Sequence, residues 1–359
     1  MDPRSFFQPG RWATRGRWHL PVAVAALCCA MTTEADLPPA TPIAPKVMIV
    51  NAFDFEAAPW IAALHPTRSY AVPGLSPDGP AVRCTDSGVC QLTTGMGHAN
   101  AAASLMALVY SGWFDVHHTY FLIAGIAGIN PAHGTIGSVA WARYAVDVGL
   151  THEIDPREAP RGWPDGYFGI MTAGPGQKPA FDYRTEAFQL NERLLQAALR
   201  LSAPVALADQ ADVRAYRANY ARAPASAAPR VIQCDTASGD TWWSGRRQGE
   251  HVSRWTRLLT DGSGEYCTTQ QEDNATLNVL TRAVHSGLVD WQRIAIERSG
   301  SDFDRPYPGQ SVHASMLAQR SIAGAGAIAV DNLVRAGMPL VEAIVTHWDA
   351  WADGVPALP

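Results

Sequence analysis

The stretch Lys46-Val-Met-Ile-Val-Asn-Ala-Phe-Asp-Phe-Glu56 decides the fold class. Its opening, Lys46 to Asn51, is a short continuous apolar run, the pattern of a strand buried on both faces in a parallel sheet. Two carboxylates, Asp54 and Glu56, stand at the strand's exit, and a helix is predicted from Glu56 to Leu64, ending before Pro66. The pattern then repeats. Val89 to Thr93 reads as a second strand, leading through Thr94-Gly-Met-Gly-His98 into an Ala-rich helix from Ala99 to Tyr110 that stops near Gly112. Thr119 to Ala124 is a third buried strand and Gly137 to Ala142 a fourth. Strand, helix and strand in this order imply right-handed crossovers on a central sheet with helices on both faces.

Downstream the signals are more broken. Pro156 to Pro179 is rich in Pro and Gly and long enough for a lid. Arg184 to Leu201 is predicted as an amphipathic helix, from Phe188, Leu194, Leu195, Ala198 and Leu199 at helical spacing. Ala203 to Pro229 resists assignment. Val231 to Cys234 returns to strand, Glu272 to Ser286 is helix, and Arg293 to Arg298 is strand. Ser311 to Ala336 reads mostly as helix, with Gly337 as its stop. There is no internal repeat and no compositional break after Pro45, so residues 46–359 are expected to form one domain.

Of the 359 residues 47% are hydrophobic and 17% charged, a globular rather than a disordered balance. A formal net charge of -5 gives no basic stripe, so nucleic acid is not an expected partner. Arg4, Arg11, Arg15 and Arg17 precede an apolar run from Leu20 to Met31, with small residues near Ala30. This reads as a secretory signal over residues 1–30, cleaved after Ala30 or Ala35, followed by a disordered Pro-rich linker over 31–45. Leu27 is too bulky before Cys28 for a lipoprotein signal, so the expectation is a soluble protein, periplasmic or secreted. After Pro45 nothing approaches the roughly 20 apolar residues of a spanning helix; Ile322 to Val334 is short and carries Asp331. Cys84, Cys90, Cys234 and Cys267 remain, an even count that suggests disulfides in an oxidising compartment. Cys84 and Cys90 bracket a turn and suit a local bridge. With no C-x-x-C spacing, no metal site is expected.

Open α/β sheets bind ligands at the carboxyl ends of their strands. The exits here offer Asp54 and Glu56, then Gly95 to Asn100, then Trp242 and Trp243, then Glu272, then Ser301 and Asp302. There is no serine elbow, no recognisable Cys/His pair and no phosphate loop ending in Lys-Ser/Thr. Carboxylates, indole rings and backbone-donor loops suit the cleavage of a nucleoside. That reaction needs an acid for the leaving purine, a base or anion to deliver the nucleophile, a flat surface for the base and groups that hold ribose hydroxyls. Carboxylates near the sugar also stabilise its oxocarbenium-like transition state.

Seven local sequences, in order, resemble the nucleoside phosphorylase superfamily. The resemblance extends particularly to its methylthioadenosine/adenosylhomocysteine nucleosidases and, within the superfamily, they look most like the purine nucleoside permease family. They are Lys46 to Glu56, Thr94-Gly-Met-Gly97, Ala124-Gly-Ile-Ala-Gly-Ile129, Gly137 to Arg143, Ser238-Gly-Asp-Thr-Trp-Trp243, Gln271-Glu272-Asp-Asn-Ala and Arg298-Ser-Gly-Ser-Asp302. The resemblance implies a single-domain nucleoside phosphorylase-like α/β fold, a central twisted mixed sheet with helices on both faces.

It also implies roles. Asp302 would be the general acid at purine N7, although a Ser-Asp pair before a turn also suits a helix cap. Glu272 would grip the ribose hydroxyls, although a first-turn Glu also suits the helix dipole. Glu56 would activate water, although a solvated first-turn acid is the plainer alternative. Trp242 or Trp243 would stack on the base, since two adjacent rings on a strand cannot both face one core. Gly95 and Gly97 would line the ribose, His98 and Asn100 lie where phosphorylases contact phosphate, and Arg298 and Ser301 flank the catalytic aspartate.

The implied partner is a purine nucleoside, with no cofactor and with inorganic phosphate only as a possible co-substrate; relatives assemble with sites near subunit contacts, implying a homo-oligomer. Hydrolysis is favoured over phosphorolysis because no Arg occurs between Lys46 and Arg68, leaving Arg83, Arg143 or a neighbouring subunit to supply a cation. Gln271 replaces the nucleosidases' Met, and Pro156 to Pro179 and Ala203 to Pro229 exceed the compact members, so base selectivity does not transfer. The competing reading is a non-catalytic nucleoside-binding protein serving transport.

Overall fold

A computed structural model describes residues 38–319 and 324–357. The proposed signal peptide and the first residues of the proposed linker lie outside the described residues. The rest of that linker is built into the fold. Ile43 pairs with Phe114 in an isolated parallel bridge, and Pro45 accepts a hydrogen bond from the Thr119 hydroxyl.

In chain order, β1 (Val47–Asn51) leads to α1 (Asp54–Leu64), β2 (Arg68–Tyr70), β3 (Val82–Cys84), β4 (Val89–Thr93) and α2 (His98–Tyr110). Then come β5 (Tyr120–Ile129), β6 (Val139–Trp141), β7 (Tyr144–Asp147), a small hairpin of β8 (His152–Glu153) and β9 (Tyr167–Phe168), and β10 (Ala187–Gln189). Next are α3 (Glu192–Ser202), α4 (Ala211–Arg217), β11 (Val231–Gln233), β12 (Asp235–Ser238) and α5 (Arg246–Leu259). The chain ends with β13 (Tyr266–Gln270), α6 (Asp273–His285), β14 (Ile294–Phe303), α7 (Val312–Gln319), α8 (Ala325–Thr346) and α9 (Trp348–Trp351).

Among the described residues, all strands but the β8–β9 hairpin join one mixed twelve-stranded sheet. At its centre β1 runs parallel to β4 and β5, and β5 runs parallel to β14 and antiparallel to β13. The unbroken apolar runs follow from burial on both faces. Met48 and Val50 pack on one side with Leu105 and Leu108 of α2 and Leu277 and Leu280 of α6. Val47 and Ile49 pack on the other with Leu194 of α3 and Leu340 and Ile344 of α8. The fold is therefore the mixed α/β architecture expected, with helices on both faces. The described residues cluster as one compact unit. Among the described residues no helix is long and apolar enough to cross a membrane.

Three segments depart from the expected elements. The helix expected over Arg184 to Leu201 begins only at Glu192, behind Asn191, whose side chain accepts the Leu194 N–H. Phe188 instead sits on β10, a three-residue edge strand paired with β7, where its burial imitated helical spacing. Gly337 does not stop its helix; it lies inside α8, where a Cβ would come within 2.5 Å of Glu297 Oε2 and 2.7 Å of the Trp60 ring. Its smallness serves close packing rather than termination. Finally, β14 runs on past Arg298 to Phe303, which places Ser301 and Asp302 on the strand itself.

Both cysteine pairs are bridged. Cys84 and Cys90 are a cross-strand pair of β3 and β4 with Cα atoms 4.1 Å apart. The Cα atoms of Cys234 and Cys267 lie 5.8 Å apart, tying the single residue between β11 and β12 to β13.

Candidate functional site

The exits of β1, β4, β12, β13 and β14 and the last residues of β5 open on one cleft enclosing about 670 Å³ of space open to solvent. Glu56, Glu272, Ser301, Asp302, Trp242 and Trp243 all line it, and so do Phe53, Met96, Ile126 and Asp304.

Glu56 reaches back from the first turn of α1. Its two oxygens accept the N–H groups of Ala52 at 2.8 Å and Ile126 at 2.7 Å, and only 2% of the residue is exposed. It is thus no solvated surface acid. Burial pushes its carboxyl up to about 7 against the pull of the nearby Arg298 guanidinium, with Glu272 adding to the rise. Gly125 makes room for this arrangement, since a Cβ there would overlap the Arg298 guanidinium and lie 2.7 Å from Glu56 Oε1.

Asp302 owes its place to a register shift between Gly300 and Asp302 on β14. Such bulges re-aim side chains beside functional sites. Ser301 donates its hydroxyl to Asp302 Oδ2 at 3.2 Å, and no cation pairs with this carboxyl among the described residues. Burial pushes it up to about 7, opposed by the Ser301 hydrogen bond and assisted by the Asp304 carboxyl. Because Asp302 lies within a strand, the helix-cap alternative falls away. Asp304, by contrast, is committed, holding Arg305 at two points and accepting the Tyr266 hydroxyl at 2.8 Å.

Glu272 occupies the cap position of α6 and accepts the Gly97 N–H at 3.0 Å and its neighbour Gln271's N–H at 3.2 Å. Behind the wall Arg298 is fully buried, bound at two points to Asp273 and 4.0 Å from Glu272 Oε2. Arg298 therefore supports the site without lining it. The loop glycines Gly95 and Gly97, with His98 and Asn100, also stand back from the cleft wall. Asn100 is exposed and donates to the Met96 carbonyl at 2.8 Å. Arg143 is engaged by Glu192.

Trp242 is 63% exposed at the rim, whereas Trp243 is half-buried and tilted against Tyr266 at 6.2 Å. Both belong to the loop after β12, so strand alternation does not explain them, although both face the cleft.

Sequence reasoning missed the residues that hold the acids. Gln270 accepts the N–H groups of Glu272 and Asp273 and so fixes the start of α6. Asp273 immobilises Arg298, and Asp240 accepts the His98 N–H at 2.8 Å. The partners of Asp273 and Asp240 lie 25 and 142 residues away, whereas those of Gln270 lie two and three residues on. Asp240 and Asp273 each stood inside a short segment already singled out, Ser238 to Trp243 and Gln271 to Ala275. Among the described residues no group of three or more His, Cys, Asp or Glu is placed to hold a metal ion.

A mixed α/β sheet with a carboxyl-walled, aromatic-rimmed cleft at its strand ends places this protein in the nucleoside phosphorylase and nucleosidase fold class. More specifically, the chain belongs to the purine nucleoside permease family, whose profile matches residues 44–356. It is 43% identical over 318 residues to a probable purine nucleoside permease of Schizosaccharomyces pombe, covering 86% of this chain and 91% of that one. It is 40% identical over 310 residues to a purine nucleoside permease of Candida albicans, covering 85% and 76%. Among solved structures, the 5'-methylthioadenosine/S-adenosylhomocysteine nucleosidase of Neisseria meningitidis in complex with methylthio-immucillin-A superimposes with a TM-score of 0.51. The identity is 14%, with 84% of this chain and 99% of that chain covered, which establishes likeness of fold.

Proposed function

We propose that this protein binds a purine nucleoside in the cleft and cleaves its N-glycosidic bond, with water as the nucleophile. One observation carries the reading. Two separate carboxyls, Glu56 and Asp302, line a single cleft and are both held near pH 7, where one can give a proton while the other takes one.

In this mechanism Asp302 donates to purine N7 as the C1'–N9 bond breaks and its electron pair passes to the base. Water adds to C1' and loses its proton to Glu56. The products are free purine and ribose, and the two carboxyls reset by exchange with solvent. Glu272 accepts hydrogen bonds from the ribose hydroxyls, and its charge faces the developing oxocarbenium ion. Trp243 and Trp242 cover the base. No cofactor enters the scheme.

The same proposal includes export to the periplasm or beyond, supported by the basic-apolar leader and the two bridged cysteine pairs, and self-association as a homo-oligomer. A second reading, nucleoside binding in the service of transport without catalysis, is favoured by the names of the relatives. The experiment is release of free purine from inosine, guanosine and adenosine by the purified protein. Stoichiometric binding without release would leave the transport reading in its place.

A further inference from the structure

The helix α2 begins at the edge of the cleft with no capping side chain of its own, since its cap residue is Gly97. Its first free amides are satisfied by carboxylates from two distant elements. The Gly97 N–H goes to Glu272 at 3.0 Å, and the His98 N–H goes to Asp240 Oδ1 at 2.8 Å. Asp240 belongs to the β12–α5 loop, two residues before Trp242. A further bond closes the circuit, for the Gln271 side-chain amide donates to the Asp240 carbonyl at 2.6 Å. The helix start is thus clamped between the loop that carries the two indole rings and the residue assigned to the ribose hydroxyls. Gly97 has φ 85°, and a Cβ there would stand 3.1 Å from Asp240 Oδ1. Glycine at this position lets the carboxylate approach.

We infer that Asp240 is a positioning residue for ribose recognition: by anchoring the start of α2 it fixes the Gly97 amide that aims Glu272. The inference rests on the proposed role of Glu272 and deepens it. Asp240 does not touch the sugar in this account. It acts through the backbone of Gly97 and His98, so its loss should affect recognition of the hydroxyls and spare recognition of the base. It is exposed, and its removal leaves no buried cavity.

The test uses calorimetric binding in an Asp302→Asn background, which suppresses turnover. Inosine, guanosine and adenosine are compared with their 2'-deoxy counterparts, and hypoxanthine, guanine and adenine report on the base subsite. The expected result is that Asp240→Ala narrows the preference for the ribonucleoside by about 3- to 10-fold, the range that one hydrogen bond supports. Affinity for the free purine stays unchanged. Asp240→Asn, which keeps an acceptor of the same length, should restore most of the preference. An unchanged ribose preference in Asp240→Ala overturns the inference, and so does an equal loss of affinity for nucleoside and free purine. If the Asp302→Asn reference shows no preference for the 2'-hydroxyl, the role of Glu272 itself fails, and that result is distinguishable because it precedes any change at Asp240.

Discussion

Arg298 spends its charge on Asp273, with which it forms a fully buried two-point ion pair behind the cleft wall. The pair explains how an arginine can sit beneath Glu56 without fully cancelling the effect of burial on that carboxyl. The guanidinium is neutralised by a partner that no ligand displaces. Glu56 is left near pH 7, while Asp302, which has no cation of its own among the described residues, reaches the same value by burial. The consequences for catalysis and stability can be measured.

Asp302→Asn should lower purine release by about 10²- to 10⁴-fold, the usual contribution of a general acid. Nucleoside binding should persist, because Asn preserves the shape of the side chain. Single-turnover assays alongside calorimetry check this, and a variant with near-normal turnover removes Asp302 from the mechanism.

The pH profile should be narrow. Catalysis needs Glu56 ionised and Asp302 protonated, and both titrate at about 7. The profile of kcat/KM should then be a bell centred near neutrality, rising with unit slope on the acid limb and falling with unit slope on the alkaline limb. If the groups titrate independently, roughly a quarter of the enzyme is in the active form at the peak. A flat profile from pH 5 to 9 contradicts the assignment.

Asp302 should also cost stability. Its folded value of about 7 lies above the ordinary 3.8, so between these values the native state keeps a proton that the unfolded chain has released. The unfolded state binds fewer protons there, and stability falls as pH rises through the window and stays reduced above it. Asn carries no such proton. Asp302→Asn should therefore melt higher than the native protein at pH 8, with the difference closing toward pH 4. A Tm difference independent of pH refutes the burial argument.

The bridge between Cys234 and Cys267 closes 33 residues of chain and sits two residues before Thr269, which lines the cleft. Non-reducing mass analysis should find no free thiol at either position. The double Ala variant should lose about 3–4 kcal/mol of stability on the chain-entropy account. Two alkylatable thiols in the folded protein would falsify the pairing.

How far the sequence could be read depended on the range of the forces involved. β1, β4 and α2 were legible because burial on both sheet faces writes itself as an unbroken run, and helical propensity is local. Glu56, Glu272 and Asp302 were legible from the order of short motifs at strand exits, and the structure brings all three to one cleft. Asp273 was not, because its work is to hold Arg298, 25 residues on, through a contact made only after folding. Gln270 was not, because its side chain bonds the Glu272 and Asp273 N–H groups locally, a task usually given to Ser, Thr, Asp or Asn. β10 was misread because three residues of an edge strand carry too little alternation to outvote the helix that follows. Gly337 was misread because a packing glycine and a stop glycine look alike until Glu297 and Trp60 are seen beside it.

The last prediction concerns the nucleophile. A phosphorylase must hold a dianion under the ribose, normally with arginine side chains and backbone donors. The β1 exit supplies the opposite environment. Glu56 lies on the wall, Glu272 stands near it, and the nearest guanidinium, that of Arg298, is already bound to Asp273. Arg143, a candidate cation from the sequence, is held by Glu192 instead. His98 and Asn100 do not line the cleft. A phosphate here would meet carboxylates at close range, whereas a water could donate to Glu56 and be deprotonated by it. Purine release from inosine or guanosine should therefore be independent of phosphate concentration, with ribose as the sugar product, and Glu56→Gln should abolish it. Strict phosphate dependence, with ribose 1-phosphate as the sole sugar product, would show that an anion site forms where the carboxylates now stand and would reverse the assignment of Glu56.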